Sequence, residues 1–207
     1  MARYHKATLT PSKADLISAW LPTQPWCPNP DAAVEVLGAY RFDDPDGQVG
    51  MEAHLVAIGD TLVHVPLTYR DVPVEDAGAE LVGEMHHSAL GDRWLYDGLT
   101  DSSFLTMLAG VSLTGQGEAL GMVVLDGQWH IAPTNVRIRG GGWSLERLSV
   151  DGFILADSSV SSPTYQNQHF SLTAHRLPEI GPQPELGLTA SWADGPGDVV
   201  LAEVTAL

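Results

Sequence analysis

Residues 50–70 read GMEAHLVAIGDTLVHVPLTYR, two runs rich in apolar and β-branched residues that meet at Gly59-Asp60. A two-residue connection of this kind between two such runs is typical of a β-hairpin. Met51–Ile58 therefore predicts one strand, and Thr61–Arg70 predicts the next. A third, aromatic-rich strand is predicted at Leu90–Asp97, which reads LGDRWLYD. Together these strands predict the antiparallel sheet around which the chain is organised.

Helices are predicted on both sides of this hairpin. Ser12 with Asp15 three residues later is a capping pair, and apolar residues then recur at helical spacing. Pro22 ends that helix, because proline cannot continue the backbone hydrogen bonds. A short helix is also predicted within Ala79–Ser88, and another begins after Ser102-Ser103, which we expect to cap it.

The character of the sequence changes near residue 112. Residues 1–112 predict an α+β domain, a strongly curved antiparallel sheet packed on a helix. Residues 113–207 predict a β-rich half, either a second domain or an extension of the same sheet. Its expected strands are Gly121–Asp126, Gln128–Ile131, Asn135–Arg139, Phe153–Ala156, Phe170–His175, Leu186–Trp192 and Val199–Val204.

The charge of the chain excludes several classes of partner. Ten Lys and Arg residues stand against 26 Asp and Glu, giving a formal net charge of -16. Nucleic acids and anionic membrane surfaces are recognised by clustered basic residues, so we expect neither as a partner. The acidity indicates a solvated surface or a basic protein partner.

The cellular compartment is indicated only by what the sequence lacks. Cys27 is the single cysteine, so no disulfide forms within the chain. The N-terminal residues lead into a polar segment rather than an apolar signal core, and no run reaches the length of a membrane helix. We therefore expect a cytoplasmic protein.

Three blocks carry a resemblance to a known family. They are LISAWLPTQPW at Leu16–Trp26, HVPLTYR at His64–Arg70 and LGDRWLYDG at Leu90–Gly98. In this order they resemble the N-terminal cap domain of maltokinases and related sugar kinases. They are also similar to stand-alone cap-like relatives, some of them loosely labelled α-glucan-branching proteins. The resemblance covers roughly residues 5–110.

The resemblance implies a fold and a metabolic context, but no activity. The implied fold is cystatin-like, a curved antiparallel sheet packed on a helix. The basic, glycine-containing segment of the kinases is replaced here by Cys27-Pro28-Asn29-Pro30. The catalytic Asp, the metal-binding Asn and the second metal-binding Asp of phosphoryl transfer are missing in their fixed order, as is a Walker motif. These residues are therefore not a kinase, and we expect no nucleotide or other cofactor.

Other chemistries find little support in the sequence. With Gly59-Asp60 as a two-residue turn, His54 opposes Val65 and His64 opposes Leu55, so the two histidines lie on opposite faces of the sheet. Neighbouring His86-His87 on a helix would point about 100° apart, which does not suit one metal ion. We expect no metal site. No G-x-S-x-G is present, and we expect no catalytic residue, although an enzyme of unrecognised type stays open.

One polar set is the candidate ligand site. Arg93 and Asp97 share one face of the predicted third strand, while Trp94 and Tyr96 share the other. In a structural interpretation the two aromatic residues lie in the core and Arg93 pairs with Asp97 at the surface. In a functional interpretation Arg70, Arg93 and an aromatic residue form a pocket for an anion or a sugar. The full candidate set is Tyr69, Arg70, His87, Arg93, Trp94, Tyr96 and Asp97.

Two functions follow from these patterns. The first is a non-catalytic accessory protein that binds a partner, either a kinase or a glucan-metabolising enzyme, in α-glucan, maltose or trehalose metabolism. This function rests on the resemblance. The second is a domain that binds a sugar or a small anion.

Overall fold

The computed structural model describes residues 2–3, 7–75, 78–132, 134–144 and 146–207. The described chain is mostly β, with two α-helices, so the predicted α+β class overstates its helical part. The helices are α1 (Lys13–Trp20) and α2 (Ser102–Thr114). The strands are β1 (Ala2–Arg3), β2 (Leu9–Thr10), β3 (Val34–Phe42), β4 (Gly50–Ile58), β5 (Thr61–Arg70), β6 (Leu81–His87), β7 (Gly91–Asp97), β8 (Gly121–Leu125), β9 (Gln128–Ile131), β10 (Val136–Gly140), β11 (Ile154–Asp157), β12 (Thr164–Gln166), β13 (Phe170–Ala174), β14 (Gly187–Trp192) and β15 (Val199–Ala206).

The first sheet is six-stranded, curls into a half barrel and has the order β2-β6-β7-β5-β4-β3. Its central hairpin is the one that the sequence predicts, with Ile58 opposite Thr61 and Gly59 at a positive φ of 58°. His54 lies opposite Val65 and His64 opposite Leu55, which confirms that the two histidines lie on opposite faces. All of its strand pairs are antiparallel.

The helix predicted within Ala79–Ser88 is wrong, because this segment forms β6. Both edges of β6 are paired, to β7 and to β2, so ladder hydrogen bonds override its modest helix propensity. A register shift between Leu81 and Gly83 bends the strand, and a Cβ added at Gly83 would meet Leu16 Cδ2 at 2.7 Å. Gly83 thus leaves room for the Leu16 side chain of α1.

The start of α1 is determined by its cap. Ser12 Oγ accepts a hydrogen bond from the Asp15 backbone N–H at 3.2 Å, and Asp15 Oδ2 accepts one from Ser12 N–H at 3.0 Å. This reciprocal pair is the predicted capping box. The helix passes into a single 3-10 turn at Leu21–Thr23, where Pro22 interrupts it.

A first apolar cluster joins this helical segment to the sheet. Ile17, Trp20 and Leu21 are buried in one cluster with strand residues that include Val63 and Val65. The face of the first sheet that carries Val63 and Val65 is called the α1 face below.

The second half contributes a separate six-stranded sheet of order β10-β14-β15-β13-β12-β11. Helix α2 precedes it, with Asp101 rather than Ser102 as the N-cap, because the Asp101 side chain accepts from Ser103 N–H at 2.9 Å. The largest core includes Met51 from the first sheet, Phe104 and Leu108 from α2, and Leu172 from the second sheet. One apolar core therefore spans both halves, while the boundary near residue 112 stays a prediction.

Strand predictions in the second half are largely confirmed. All seven expected strands are present within one or two residues of their predicted ends. The addition is β12, for which the sequence analysis predicts no strand. Strands β1, β8 and β9 form a small third sheet. In the described part of the chain, neither helix has the length and apolar character needed to cross a membrane.

Candidate functional site

A cavity of about 800 Å³ opens on the α1 face, beside the first turn of α1. Its walls come from strands β3 to β7 together with Lys13 of the helix and residues of the segments around Gln48 and Asn135. The charged and polar side chains in the lining are Lys13, Arg41, Gln48, Glu52, Tyr69, Asp71, His87, Arg93, Thr134 and Asn135. This volume lies within the range of pockets that hold small molecules.

The structure divides the predicted site residues into two groups. Tyr69, His87 and Arg93 line the cavity together. The other four, Arg70, Trp94, Tyr96 and Asp97, are not part of its lining.

Three of the four residues outside the cavity make structural contacts, and the described structure shows no such contact for the fourth, Trp94. Arg70 binds Asp101 through two nitrogens, at 3.0 and 2.9 Å. The Tyr96 hydroxyl accepts from Val74 N–H at 2.9 Å. Trp94 is half-buried opposite Arg70 in the ladder between β5 and β7, and no described contact gives it a further role.

The expected surface pair between Arg93 and Asp97 is wrong. Asp97 is fully buried and forms an ion pair with Arg176, which is 5% exposed and comes from the second half. The Arg176 guanidinium also lies 4.3 Å from the centroid of the Trp26 ring. Arg93 instead donates to the carbonyl of Asp92 at 2.7 Å. Asp97 is therefore buried rather than at the surface, and its partner is Arg176 rather than Arg93.

The base of the cavity holds a buried charge, Glu52. Its neighbours Met51 and Ala53 point into the core with α2, so Glu52 points to the α1 face. The carboxylate is 8% exposed and forms an ion pair with Lys13. Burial alone would raise the pKa of Glu52, but the positive charge and hydrogen bond of Lys13, with His54 and Arg41 nearby, outweigh it and lower the pKa. Glu52 is therefore ionised at neutral pH.

His54 lies next to Glu52 on the same strand face. Its Nε2 is 3.5 Å from Glu52 Oε1, and neither ring nitrogen has a hydrogen-bond partner among the described residues. Burial lowers the pKa of His54 to about 4, against the opposing pull of Glu52, so the ring is neutral at pH 7.

Tyr69 completes the base. Its ring lies 5.0 Å below the Lys13 ammonium, and its buried hydroxyl has no hydrogen-bond partner within the described chain. Burial, reinforced by the charge of Glu52, raises the pKa of this phenol well above its ordinary value. A buried hydroxyl without a partner is costly and marks a place where a ligand or water would be stabilised.

His87 and Arg93 lie on the neighbouring strands β6 and β7. Arg93 is opposite Met85 and His87 is opposite Gly91, so the two side chains are diagonal neighbours on one face. His87 Nδ1 lies 3.2 Å from the backbone nitrogens of Ala89 and Leu90, which donate to it. The neutral ring therefore carries its proton on Nε2. Both side chains thus line the same part of the cavity.

The sequence reasoning missed Lys13, Arg41 and Glu52. A signal for Glu52 was present, because it is the only charged residue in the apolar run Met51–Ile58, and a charge in a buried strand requires a partner. Lys13 and Arg41 carried no such signal. They are brought to the cavity by the packing of α1 and by the ladder in which Arg41 opposes Glu52.

A smaller cleft of about 460 Å³ on the second sheet contains a Ser–His–Glu sequence of contacts. Ser162 Oγ is 3.1 Å from His175 Nδ1, and His175 Nε2 is 3.4 Å from Glu203 Oε2. The Glu203 side chain is 56% exposed, so water screens its effect on the ring. The backbone N–H groups of His175 and Arg176 are already bonded to Leu201 and Ser161, and so do not form an oxyanion hole. These contacts are those of a cross-strand polar ladder.

The larger cavity offers cationic and neutral donors, a carboxylate acceptor and an aromatic ring in one concave space. Among the described residues, no cluster of three His, Cys, Asp or Glu side chains is placed to hold a metal ion.

Comparison with known proteins supports the resemblance for part of the chain. No curated protein matches the sequence. The family model described as the maltokinase N-terminal cap domain matches residues 20–101. That segment contains most of the cavity lining, including Tyr69, His87 and Arg93, whereas Lys13 precedes it and Asn135 follows it. The predicted resemblance to the maltokinase cap is thus confirmed over residues 20–101.

Proposed function

We propose that this protein is a non-catalytic binding protein that holds a small polar ligand, a sugar or an anion, in the cavity on the α1 face. One observation carries the proposal. Among the described residues, the Tyr69 hydroxyl is buried without a hydrogen-bond partner beside the Lys13–Glu52 ion pair at the base of an open cavity. Residues kept only for stability are normally satisfied within the protein, so this arrangement favours an external partner.

The lining suits a hydroxyl-rich molecule. A sugar needs both donors and acceptors in fixed positions, together with an aromatic or apolar surface for its C–H groups. Glu52 and Asn135 supply acceptors, Gln48 and the Tyr69 hydroxyl supply donors, and Tyr69 also supplies the ring.

The family match supports a metabolic context for the ligand. The matched model is named for maltokinase, and so maltose, maltooligosaccharides and trehalose are the first compounds to test. We also infer the cystatin-like arrangement of this family, in which α1 lies in the curl of the sheet. The burial of Ile17, Trp20 and Leu21 with strand residues supports it.

Calorimetric titration tests the proposal. The purified protein is titrated with these sugars, sugar phosphates and inorganic phosphate. The Tyr69→Phe variant should bind its ligand more weakly, because the orphan hydroxyl is removed. The Tyr96→Phe variant is the control, since that hydroxyl already accepts from Val74 and lies outside the cavity. If no compound gives heat at millimolar concentration, the binding proposal is wrong.

The absence of catalysis is part of the proposal. These 207 residues contain no kinase set of catalytic Asp, metal-binding Asn and metal-binding Asp, and the ionised Glu52 is already engaged by Lys13. We expect the purified chain not to hydrolyse ATP or transfer its phosphate to maltose. Turnover that survives rigorous purification would contradict this.

A protein partner is the second candidate function, and the β8–β9 hairpin favours it. Val124, Leu125, Trp129 and Ile131 are each more than half exposed on this hairpin. Exposed apolar side chains grouped on one element are typical of an interaction surface. With a net charge of -16 around it, the fitting partner is a kinase or glucan-metabolising enzyme with a basic surface. A specific enzyme recovered by the wild type and lost with Trp129→Ser supports this, whereas equal recovery by both excludes the hairpin.

A further inference from the structure

We infer that the ligand carries a negatively charged group, a phosphate or a carboxylate, and that Arg93 holds this group while the base around Glu52 and Tyr69 receives the hydroxyls. This inference rests on the proposed function and narrows it from polar compounds in general to anionic sugar derivatives.

The distribution of charge is the first argument. The sequence has ten Lys and Arg against 26 Asp and Glu. Three of those ten, Lys13, Arg41 and Arg93, line this one cavity, whereas two of the 26, Glu52 and Asp71, do so. The described lining is thus net positive on a strongly negative protein. Such a local reversal of sign attracts an anion into the cavity and disfavours a cation.

Arg93 is the second argument. Lys13 is neutralised by Glu52, but no carboxylate in the described parts of the chain lies within 4 Å of the Arg93 guanidinium. Its bond to the Asp92 carbonyl uses Nη1, and a guanidinium has five N–H donors. Arg93 is only half-buried, so the remaining donors can meet a ligand in the fork geometry that suits carboxylate and phosphate.

Four probes separate the contributions: glucose, glucose 1-phosphate, glucuronate and inorganic phosphate. We expect glucose 1-phosphate or glucuronate to bind at least about tenfold more tightly than glucose, since a charge-assisted bidentate contact is worth roughly that or more. The compound that binds more tightly identifies the anion as phosphate or carboxylate. Its affinity should fall as the salt concentration rises.

The Arg93→Gln variant tests the assignment of the anionic end. It should lower the affinity for the anionic sugar about tenfold and leave the affinity for glucose unchanged. Arg147→Gln is the charge-matched control, because Arg147 is exposed and outside the cavity. It should change neither affinity. Circular dichroism shows whether each variant is folded.

The remaining outcomes are equally decisive. Equal binding of glucose and the anionic sugars, with Arg93→Gln neutral, would overturn the inference and leave the proposed sugar site intact. Inorganic phosphate binding as tightly as glucose 1-phosphate would overturn the hydroxyl-binding base. If neither the four probes nor any compound of the wider sugar panel binds, both proposals are overturned together.

Discussion

Each end of α1 lies beside a buried ion pair, and the two pairs differ in what surrounds them. At the start of the helix, Lys13 pairs with Glu52 at the base of the cavity, next to the Tyr69 hydroxyl and the His54 ring nitrogens, which have no hydrogen-bond partner in the described part of the chain. Near its other end, Arg176 pairs with Asp97 and packs over Trp26, which contacts Trp20 edge to face with ring centroids 5.6 Å apart.

The difference separates a structural charge pair from a functional one. Asp97 also accepts from Leu99 N–H at 3.1 Å, so the pair at that end is enclosed and satisfied. The pair at the start of α1 opens on a cavity and leaves polar atoms unsatisfied. A buried ion pair is therefore not by itself a sign of a site. Unsatisfied polar groups beside an open space are the better indicator.

The largest effect is expected at the enclosed pair. Arg176→Met would leave the Asp97 carboxylate buried without a counter-charge, and should lower the free energy of unfolding by about 3–5 kcal/mol. Urea denaturation measures this loss. Adding Asp97→Asn should restore part of the stability, because the amide is uncharged and can still accept from Leu99. A double variant no more stable than the single one would contradict this role for the charge.

Lowering the pH should reduce the stability of the fold through the two histidines that are buried in the first sheet. Burial lowers the pKa of His54 to about 4 and that of His64 to about 3, whereas unfolded histidine titrates near 6.5. Below pH 6.5 the unfolded chain therefore binds protons that the folded chain does not, and stability falls as the pH falls. Between pH 6.5 and 5.5 the ratio of folded to unfolded protein should drop by about fivefold for each histidine.

Urea midpoints measured from pH 7.5 to pH 5.5 test this expectation. The His54→Gln variant should show a shallower decline than the wild type, because one titrating group is removed from the cavity end. A wild-type midpoint that stays constant over this range would show that neither histidine is held neutral by burial.

Arg70 gives a smaller effect and separates stability from binding. Its guanidinium bonds to Asp101, which also caps α2, and the Arg70 side chain is 26% exposed. Arg70→Gln should lower the free energy of unfolding by about 1–2 kcal/mol and leave ligand affinity unchanged. Thermal denaturation and titration of the same sample check both statements. A loss of ligand affinity without a loss of stability would instead indicate that Arg70 belongs to the ligand site.

Tyr69 should give the smallest change in stability and one of the opposite sign. Removing a buried hydroxyl that has no partner relieves an unmet polar group, so Tyr69→Phe should be neutral or more stable by up to about 1 kcal/mol. Tyr40→Phe is the matched comparison, because that hydroxyl lies 2.9 Å from His64 Nε2 and should cost stability when lost. Equal losses in both variants would mean that Tyr69 is bonded after all.

Local patterns were sufficient for much of the fold. The hairpin, the capping box of α1 and the strands of the second half all depend on residues close together in the sequence. The strand β6 was missed because its conformation comes from ladders on both edges rather than from its own composition.

The candidate site was harder to predict for the same reason. Tyr69, His87 and Arg93 were chosen as polar residues on neighbouring strands, and the sheet brings them together. Lys13 reaches them through tertiary packing of α1. Asp97 was misassigned because its partner Arg176 is 79 residues away along the chain, and no sequence pattern predicts a contact over such a separation.

The ion pair between Arg176 and Asp97, which joins the two halves of the chain, has a practical consequence. A truncated version ending near residue 112 would remove the guanidinium that covers Asp97, and would expose the side of Met51 and Phe104 that packs with the second sheet. Anyone seeking a minimal recombinant fragment of the cap should therefore expect insoluble material from such a cut. Expression trials should begin with all 207 residues, or with a short version in which Asp97 has already been made neutral.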